Sequence, residues 1–364
     1  MASFPPLRAD LGVMEGYHSA QVDVEVRLNV NESPFPPPDG FFDQLAKHVQ
    51  TTSFHRYPDR QATELRQALA RVHGVRPEQI FIANGSNEVL QCLQLAFAGP
   101  GRPVATFEPT YAMHGTVARM VGAPVLEAER ADDFSIDPAE VARICAADPA
   151  PSLTFICNPN NPTGMAETKE SITALLAAVP GLLVVDEAYG QFADWSALAL
   201  IDDDTPLVVT RTFSKTWSMA ASRLGYCVGP ERVIKPLWEK AALPYHLDSL
   251  KQVAGLVALE FVEEMELRVA QLIKGRERIL DGLAGLGIET FPSQANFVLF
   301  RVEETCGKAV WQGLVDRSVL VRDCSGWPRL AGCLRVTVGT PEENERFLEA
   351  LDEVMAAQGS EAAP

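Results

Sequence analysis

The chain has 364 residues, of which 47% are apolar and 22% are charged, the proportions of an ordinary globular protein. This length predicts one large domain with a smaller companion. The formal charge of −17 would repel nucleic acids and anionic membranes unless a dense basic patch compensated for it, and the sequence contains none. We therefore expect neither kind of partner.

The sequence also argues against several classes of site and location. Seven cysteines are scattered without a C-x-x-C pair, which favours neither a disulfide framework nor a zinc site, so we expect no metal. The N-terminus, MASFPPLRADLG, has no apolar segment behind a basic start, and the longest apolar run, residues 172–185, is too short to span a bilayer. These features predict a cytoplasmic protein.

The first third of the chain begins with a proline-rich arm, residues 1–38, in which residues 24–30 alternate like a strand before Asn-Glu-Ser-Pro ends it. A short amphipathic helix is predicted over residues 41–49. Asp59 can cap a second helix, which has apolar positions at Leu65, Leu69 and Val72 and ends at Gly74.

Strands and helices then alternate through the central part of the chain. The strand QIFIAN is followed by Gly85-Ser86-Asn87-Glu88 and a helix, an arrangement that aims a helix N-terminus at an anion. The segments VATFEP, LTFICNPNNPTG, LLVVDEAYG and PLVVTRTFSK continue the series. Continuous apolar strands separated by helices predict an α/β fold with a mainly parallel sheet flanked by helices, and ligand-binding loops at the carboxyl ends of the strands.

The last third of the chain differs in pattern. A long amphipathic helix is predicted over residues 249–282, followed by the strands NFVLFRV, SVLVRD and CLRVTVG and a final helix, ENERFLEALDEVMAA. This order predicts a smaller α+β domain. We therefore expect an arm over residues 1–38 that packs with the small domain, a large domain over 39–248, and a small domain over 249–364 that begins with the long linking helix.

The segment TRTFSKTWSMAASRLGY, residues 210–226, contains the strongest candidates for catalytic and phosphate-binding side chains. Lys215 follows Ser214 at the end of an apolar strand, and Arg223 comes shortly after. Burial lowers the pKa of a lysine, whose free amine can attack a carbonyl, while a hydroxyl and a guanidinium suit a phosphate. The set suits a cofactor that carries both an aldehyde and a phosphate. A surface lysine with a loop arginine is the alternative.

Several further motifs, read in their order along the chain, argue against a simple surface role for Lys215 and Arg223. They are RYPD at residues 56–59, NGSNE at 84–88, PTY at 109–111, NPNNPTG at 158–164, VDEAY at 185–189, FSK at 213–215 and LRVTVG at 334–339. Together they resemble the fold-type-I pyridoxal-phosphate aminotransferases, most closely the histidinol-phosphate aminotransferases, over nearly the whole chain. The resemblance implies a large cofactor-binding domain of the aspartate-aminotransferase type and pyridoxal 5'-phosphate as the cofactor.

The resemblance also implies roles for individual residues. Lys215 would bind the cofactor aldehyde and act as general base, Asp186 would pair with the pyridine nitrogen, and Tyr189 would donate to the ring oxygen. Further cofactor contacts are implied for a set of polar and aromatic residues: Ser86, Asn87, Tyr111, Asn158, Ser214 and Arg223. On the residues alone, Asp186 could instead cap a helix, Asn158 could shape a turn, and Tyr111 could be core.

Substrate and partner residues follow from the same resemblance. Arg335 and Arg322 would bind the substrate anion, and Tyr17 in the arm would close over the pocket. Tyr57 would reach the cofactor phosphate of a neighbouring subunit, which implies a homodimer. Arg322 and Tyr17 have ordinary surface or core alternatives, and Tyr57 could simply anchor the turn before Pro58.

The chain departs from the family pattern at four positions near the expected site, Asn87, His114, Ser218 and Ser222. None of them removes a catalytic group, but such changes can alter substrate discrimination. The leading hypothesis is transfer of the amino group of L-histidinol phosphate to 2-oxoglutarate, a step of histidine biosynthesis. The alternatives are an aromatic amino-acid aminotransferase of the same branch and a decarboxylase of phosphorylated amino acids.

Overall fold

A computed structural model describes residues 4–12, 14, 16, 20–303 and 306–361 of the chain. The strands, in chain order, are β1 Val26–Leu28, β2 Ile80–Ala83, β3 Val104–Glu108, β4 Val125–Glu129, β5 Leu153–Cys157, β6 Leu182–Asp186, β7 Leu207–Thr212, β8 Gly225–Val228, β9 Glu289–Thr290, β10 Phe297–Arg301, β11 Val319–Asp323 and β12 Cys333–Thr337. They form two separate sheets.

The helices cover both sheets. In chain order they are α1 Ala9–Gly12, α2 Phe41–Thr51, α3 Thr63–His73, α4 Ser86–Phe97, α5 Met113–Met120, α6 Pro138–Cys145, α7 Lys169–Ala178, α8 Glu231–Pro236, α9 Ser249–Ala258, α10 Val262–Gly285, α11 Gly307–Val315 and α12 Pro341–Glu361. Asp59 accepts hydrogen bonds from the backbone N–H groups of Gln61 and Thr63 at the start of α3. Gly74 ends that helix with a left-handed φ of 65°, as predicted. The N-cap is Ala62, so Asp59 contacts the start of the helix from three positions before the cap.

The larger sheet has seven strands in the order β2-β8-β7-β6-β5-β3-β4. Its pairings are parallel from β4 through to β7, and β8 alone runs antiparallel to both of its neighbours. Every residue of β5 and β6 is buried, because helices cover both faces and water reaches neither side. The predicted α/β fold with a mainly parallel sheet is confirmed.

The smaller sheet has five strands in the order β1-β11-β12-β10-β9. β1 comes from the N-terminal arm and pairs in parallel with β11, whereas the other pairings are antiparallel. The arm therefore contributes a strand to the sheet of the C-terminal segment. The residue numbers at which the domains divide remain predictions.

One predicted helix is divided in the structure. The span expected to be one helix from residue 249 is divided into α9, a short 3₁₀ turn at Leu259–Phe261, and α10.

Within the part of the chain that the structure describes, no helix is both long and apolar enough to cross a membrane. In the same part, no three His, Cys, Asp or Glu side chains are grouped so that they could hold a metal ion.

Candidate active site

The carboxyl ends of β6 and β7 bring the first two predicted catalytic residues to one edge of the large sheet. Asp186 ends β6 and is paired with Thr210 of β7, and Lys215 follows β7 by three residues. Because neighbouring parallel strands end on the same side, this edge is where an α/β sheet forms a ligand crevice.

Lys215 is half-buried, and its Nζ atom donates a hydrogen bond to the Val30 carbonyl at 3.0 Å. The same atom lies 5.9 Å from the centroid of the Tyr189 ring. The pKa of Lys215 is lowered from 10.5 to about 7, mainly by burial and also by the positive charges of Arg335 and Arg223, which Glu32 partly offsets. A substantial fraction of this amine is therefore uncharged and nucleophilic near neutral pH.

Asp186 is 1% exposed, and three donors hold its carboxylate. His114 Nε2 lies 3.1 Å from Oδ2, while Oδ1 accepts from Thr210 Oγ1 at 2.9 Å and from the Ala188 N–H at 3.2 Å. His114 is itself fully buried and stacks on the Phe155 ring at 4.9 Å. The carboxylate is thus fixed in a water-poor setting where it can bind a cationic group strongly.

Tyr189 and Asn158 lie beside this pair. The Tyr189 hydroxyl accepts a hydrogen bond from Asn31 Nδ2 at 2.9 Å, and burial raises the pKa of Tyr189 above its ordinary value. The phenol therefore keeps its proton at neutral pH and can donate it. Asn158 is 1% exposed; its Oδ1 accepts from the Glu167 N–H at 2.8 Å, whereas its Nδ2 finds no acceptor among the described residues.

The start of α4 forms a cradle for an anion. Gly85 adopts a φ of 80°, and an added Cβ there would lie 3.0 Å from Arg223 Nη2, so the guanidinium lies against this backbone. Asn87 accepts a hydrogen bond from the Tyr111 hydroxyl at 3.1 Å. The backbone N–H groups of the first helical turn, together with Arg223, suit a phosphate.

Ser214 belongs to the same region through β7. Its hydroxyl accepts a hydrogen bond from Thr212 Oγ1 at 3.0 Å, and its side chain is 7% exposed. Tyr111 meets His114 edge to face, with ring centroids 5.6 Å apart. Tyr111 therefore lies beside the histidine that contacts Asp186.

Two arginines of the small sheet lie opposite each other. Arg335 on β12 is the Cα partner of Arg322 on β11. Arg335 is 5% exposed; its Nη1 donates to Asn161 Oδ1 and its Nη2 to the Asn29 carbonyl at 3.1 Å, while its Nε has no acceptor in the described part of the chain. Arg322 is half-buried and lies over the Trp327 ring.

The contribution of the arm is larger than the sequence indicated. Asn29, Val30 and Asn31 are consecutive, and they bind Arg335, Lys215 and Tyr189 respectively. Asn31 also exchanges hydrogen bonds with Thr337, through its N–H and its Oδ1. The only sequence signal for these contacts was the Asn-Glu-Ser-Pro that ends the predicted strand, which specifies a turn but not what it touches.

The remaining two predicted residues are not brought into this group. Tyr57 is 79% exposed and stacks on Tyr245, with ring centroids 4.5 Å apart. Tyr17 lies outside the described residues.

The residues present fit the cofactor that the sequence resemblance implies. An amine of low pKa, a buried carboxylate, a phenol and a helix N-terminus beside an arginine match its aldehyde, ring nitrogen, ring oxygen and phosphate. The buried Asn158 Nδ2 supports the match most directly, because a buried amide donor without a partner is costly unless a ligand satisfies it.

Comparisons with known proteins agree with this geometry. The family described as aminotransferase class I and II matches residues 23–351. The chain is 42% identical to the histidinol-phosphate aminotransferase of Corynebacterium diphtheriae, over 96% of each chain. It is also 42% identical to that of Mycobacterium avium, over 97% of this chain and 89% of the relative.

Solved structures share the fold. The histidinol-phosphate aminotransferase of Sinorhizobium meliloti, solved in complex with pyridoxal-5'-phosphate, superposes with a TM-score of 0.88 at 24% identity and covers 98% of this chain and 99% of its own. An aspartate aminotransferase from Thermus thermophilus superposes with a TM-score of 0.80 at 24% identity, covering 96% and 99% respectively. At this level of identity the likeness establishes the fold.

Proposed function

The chain belongs to the aminotransferase class I and II family, and we propose that it transfers the amino group of L-histidinol phosphate to 2-oxoglutarate with pyridoxal 5'-phosphate as cofactor. The products are imidazole-acetol phosphate and L-glutamate, and the step belongs to histidine biosynthesis. The substrate assignment draws on the names of relatives that are 42% identical over nearly their full length.

One observation carries the proposal: the Lys215 amine of lowered pKa and the buried Asp186 carboxylate lie at the ends of adjacent parallel strands. When bound, the cofactor supplies an electron-accepting ring that stabilises negative charge at the substrate carbon. Lys215 would hold the cofactor through its aldehyde, and its free amine would move a proton at the substrate carbon. Asp186 would keep the ring nitrogen protonated through its negative charge.

The other residues hold the cofactor in our proposal. Tyr189 and Asn158 Nδ2 would donate to the ring oxygen and so support an anionic oxygen there. Tyr111 would stack on the ring. Phosphate binding is assigned to the start of α4 and the two nearby side chains that can reach it, with these residues: Ser86, Asn87, Ser214 and Arg223.

Substrate binding is assigned to Arg335, Arg322 and Tyr17. The two arginines supply guanidinium forks, which bind a carboxylate or a phosphate in the same bidentate way. One site can therefore accept the anionic end of the amino donor in one half-reaction and that of glutamate in the other. Within the chain of net charge −17, these arginines make a local positive site.

We further propose that the active form is a homodimer to which Tyr57 of each subunit contributes across the interface. In support, Tyr57 is 79% exposed in the isolated chain and stacks on Tyr245, so its hydroxyl is available to a second copy.

Mixing Lys215→Ala and Tyr57→Ala proteins tests the shared site. Hybrid dimers regain one intact site, so activity should return to about a quarter of wild type after subunit exchange. No recovery, despite demonstrated exchange, would contradict a shared site.

The domain and compartment assignments are part of the same proposal. The arm over 1–38, large domain over 39–248 and small domain over 249–364 are supported by the two sheets, the smaller of which includes β1. A cytoplasmic location is supported by the seven cysteines, all of which are free thiols, as reducing conditions favour.

A panel of amino donors tests the reaction. The purified protein, loaded with cofactor, is assayed with 2-oxoglutarate and L-histidinol phosphate, L-histidinol, phenylalanine or phosphothreonine, and both glutamate and carbon dioxide are measured. We expect kcat/KM for L-histidinol phosphate to exceed that for L-histidinol by at least about 10²-fold, because the unphosphorylated amine leaves the arginines without an anion. An inert L-histidinol phosphate would remove the substrate assignment, and carbon dioxide release would indicate a decarboxylase.

A further inference from the structure

A tryptophan that the site description has not used lies against one of the two arginines. The Arg322 guanidinium is 5.4 Å from the centroid of the half-buried Trp327 ring. We propose that Trp327 is a positioning residue that holds Arg322 beside Arg335 and so sets the affinity of the site for the phosphate of the amino donor. The phosphate assignment rests on the proposed function, and the stacking contact does not.

The two arginines need such support because they face each other on one side of the small sheet. Directly opposite residues on antiparallel strands have Cβ atoms about 5 Å apart, and like charges in this position repel. Arg335 is held by Asn161, by the Asn29 carbonyl and by the Phe297 ring, 5.1 Å from its guanidinium. An aromatic ring thus lies under each guanidinium.

The Trp327 ring meets Arg322 through the face of the guanidinium. An aromatic ring contacts the face of a guanidinium, whereas the N–H groups point outward in its plane. A ring against Arg322 therefore restricts its rotamers through the guanidinium face and not through the N–H groups. Two adjacent guanidiniums suit a phosphate dianion better than a single carboxylate, because the second negative charge offsets the repulsion between them.

Trp327 is itself fixed by its loop. The backbone N–H of Trp327 donates to the Cys324 carbonyl at 3.0 Å, and the backbone carbonyl of Trp327 accepts from the Leu330 N–H at 3.1 Å. Trp327 packs on a buried cluster formed by two strands of the small sheet, the loop between β11 and β12, and the loop after β4, with these members: Phe134, Leu299, Cys324, Leu330 and Cys333. Arg329 ties the same loop to the large domain by donating to the carbonyls of Arg130 and Ala131. These contacts hold the loop that carries Trp327.

Variants of the cofactor-loaded enzyme separate this role from general packing. Trp327→Leu removes the ring, and Trp327→Phe retains an aromatic face. Phe291→Leu is the matched control, since it removes the ring 5.1 Å from Arg301, to which we assign no substrate role. The readouts are kcat and KM for L-histidinol phosphate, the inhibition constant of inorganic phosphate in the half-reaction with glutamate, and thermal unfolding.

We expect Trp327→Leu to raise both the KM and the phosphate inhibition constant about 3- to 30-fold with little change in kcat. Trp327→Phe should recover most of this loss, and Phe291→Leu should leave both constants unchanged. Because Trp327 acts through Arg322, adding Trp327→Leu to Arg322→Ala should cause no further rise.

The results also distinguish this inference from the proposed function. If wild-type enzyme ignores L-histidinol phosphate, the substrate assignment fails, and the phosphate inhibition constants still test the role of Trp327. An unchanged phosphate constant in Trp327→Leu would overturn the inference. So would a further rise when Trp327→Leu is added to Arg322→Ala, because the tryptophan would then act independently of the arginine.

Discussion

The Lys215 amine donates a hydrogen bond to the backbone carbonyl of Val30, 185 residues earlier in the chain, at 3.0 Å. The two residues that flank Val30 bind Arg335 and Tyr189. The arm is therefore part of the site, and it couples β1 of the small sheet to the catalytic edge of the large sheet. A change in the arm should affect catalysis as directly as a change beside Lys215.

Asn31 gives the sharpest test of this coupling. It donates to the Tyr189 hydroxyl and accepts from Thr337, and its backbone is left-handed with a φ of 56°. Asn31→Gly should lower kcat/KM about 5- to 10-fold through loss of the Tyr189 contact. Asn31→Ala should lose as much activity and also be less stable than the glycine variant by about 1 kcal/mol, because alanine is strained at this φ. Steady-state kinetics and urea unfolding measure the two effects, and equal stabilities would contradict the strain argument.

The lowered pKa of Lys215 predicts the pH dependence of cofactor attachment. Only the free amine attacks the aldehyde, so in cofactor-free protein the attachment rate should rise as pH increases through about 7 and then level off. Arg335→Gln removes a positive charge that favours the free amine, and the midpoint should move to higher pH. The surface variant Arg278→Gln is the control. Stopped-flow absorbance gives the midpoints; a wild-type midpoint near 10 would show that the amine is not perturbed.

The charge of Asp186 should matter more than its shape. Asp186→Asn keeps the size of the side chain, but a neutral amide cannot hold the proton on the ring nitrogen, so we expect kcat to fall by at least about 10²-fold. Thr210→Val removes one donor to this carboxylate without changing volume much, and it should cost about 10-fold. Single-turnover rates with saturating cofactor measure both. Retention of more than a tenth of the wild-type rate by Asp186→Asn would contradict the assigned role.

Gly225 should be required for the phosphate cradle. A Cβ at this position would lie 2.3 Å from the Ser86 nitrogen and 2.5 Å from the Gly85 carbonyl carbon, so β8 or the start of α4 would have to shift. We expect Gly225→Ala to weaken cofactor binding at least about 10-fold and to destabilise the fold by about 1–3 kcal/mol. Gly285→Ala, where a Cβ meets nothing within 4 Å, should be neutral or stabilising. Cofactor titration and thermal unfolding measure both effects. Equal behaviour of the two variants would refute the steric argument.

Much of the fold could be predicted because local patterns and global packing agree. The continuous apolar segments of β5 and β6 are buried on both faces, as a parallel sheet requires. The periodicity of α3 correctly identified Leu65 and Leu69, each 1% exposed, as core. Val72, the third apolar position of this helix, is 46% exposed because it lies in the last turn, outside the buried stripe.

The rest depends on contacts between distant segments. β8 is only four residues long and pairs antiparallel to β2 and β7, so no local repeat distinguished it from a loop. His114 was noted only as a departure from a family pattern, yet it lies 3.1 Å from Asp186 across 72 positions. The Asn31–Tyr189 contact spans 158 positions. Single residues of this kind become recognisable only when the fold brings their partners together.

The most direct test of the account is to identify the residue that binds the cofactor. Protein loaded with pyridoxal phosphate is reduced with borohydride, digested, and analysed by mass spectrometry, with Lys215→Arg as the control. We predict a yellow protein that borohydride bleaches, with the adduct confined to the peptide that contains Lys215 and absent from the variant. A colourless protein in excess cofactor, or an adduct on any other lysine, would contradict the central claim.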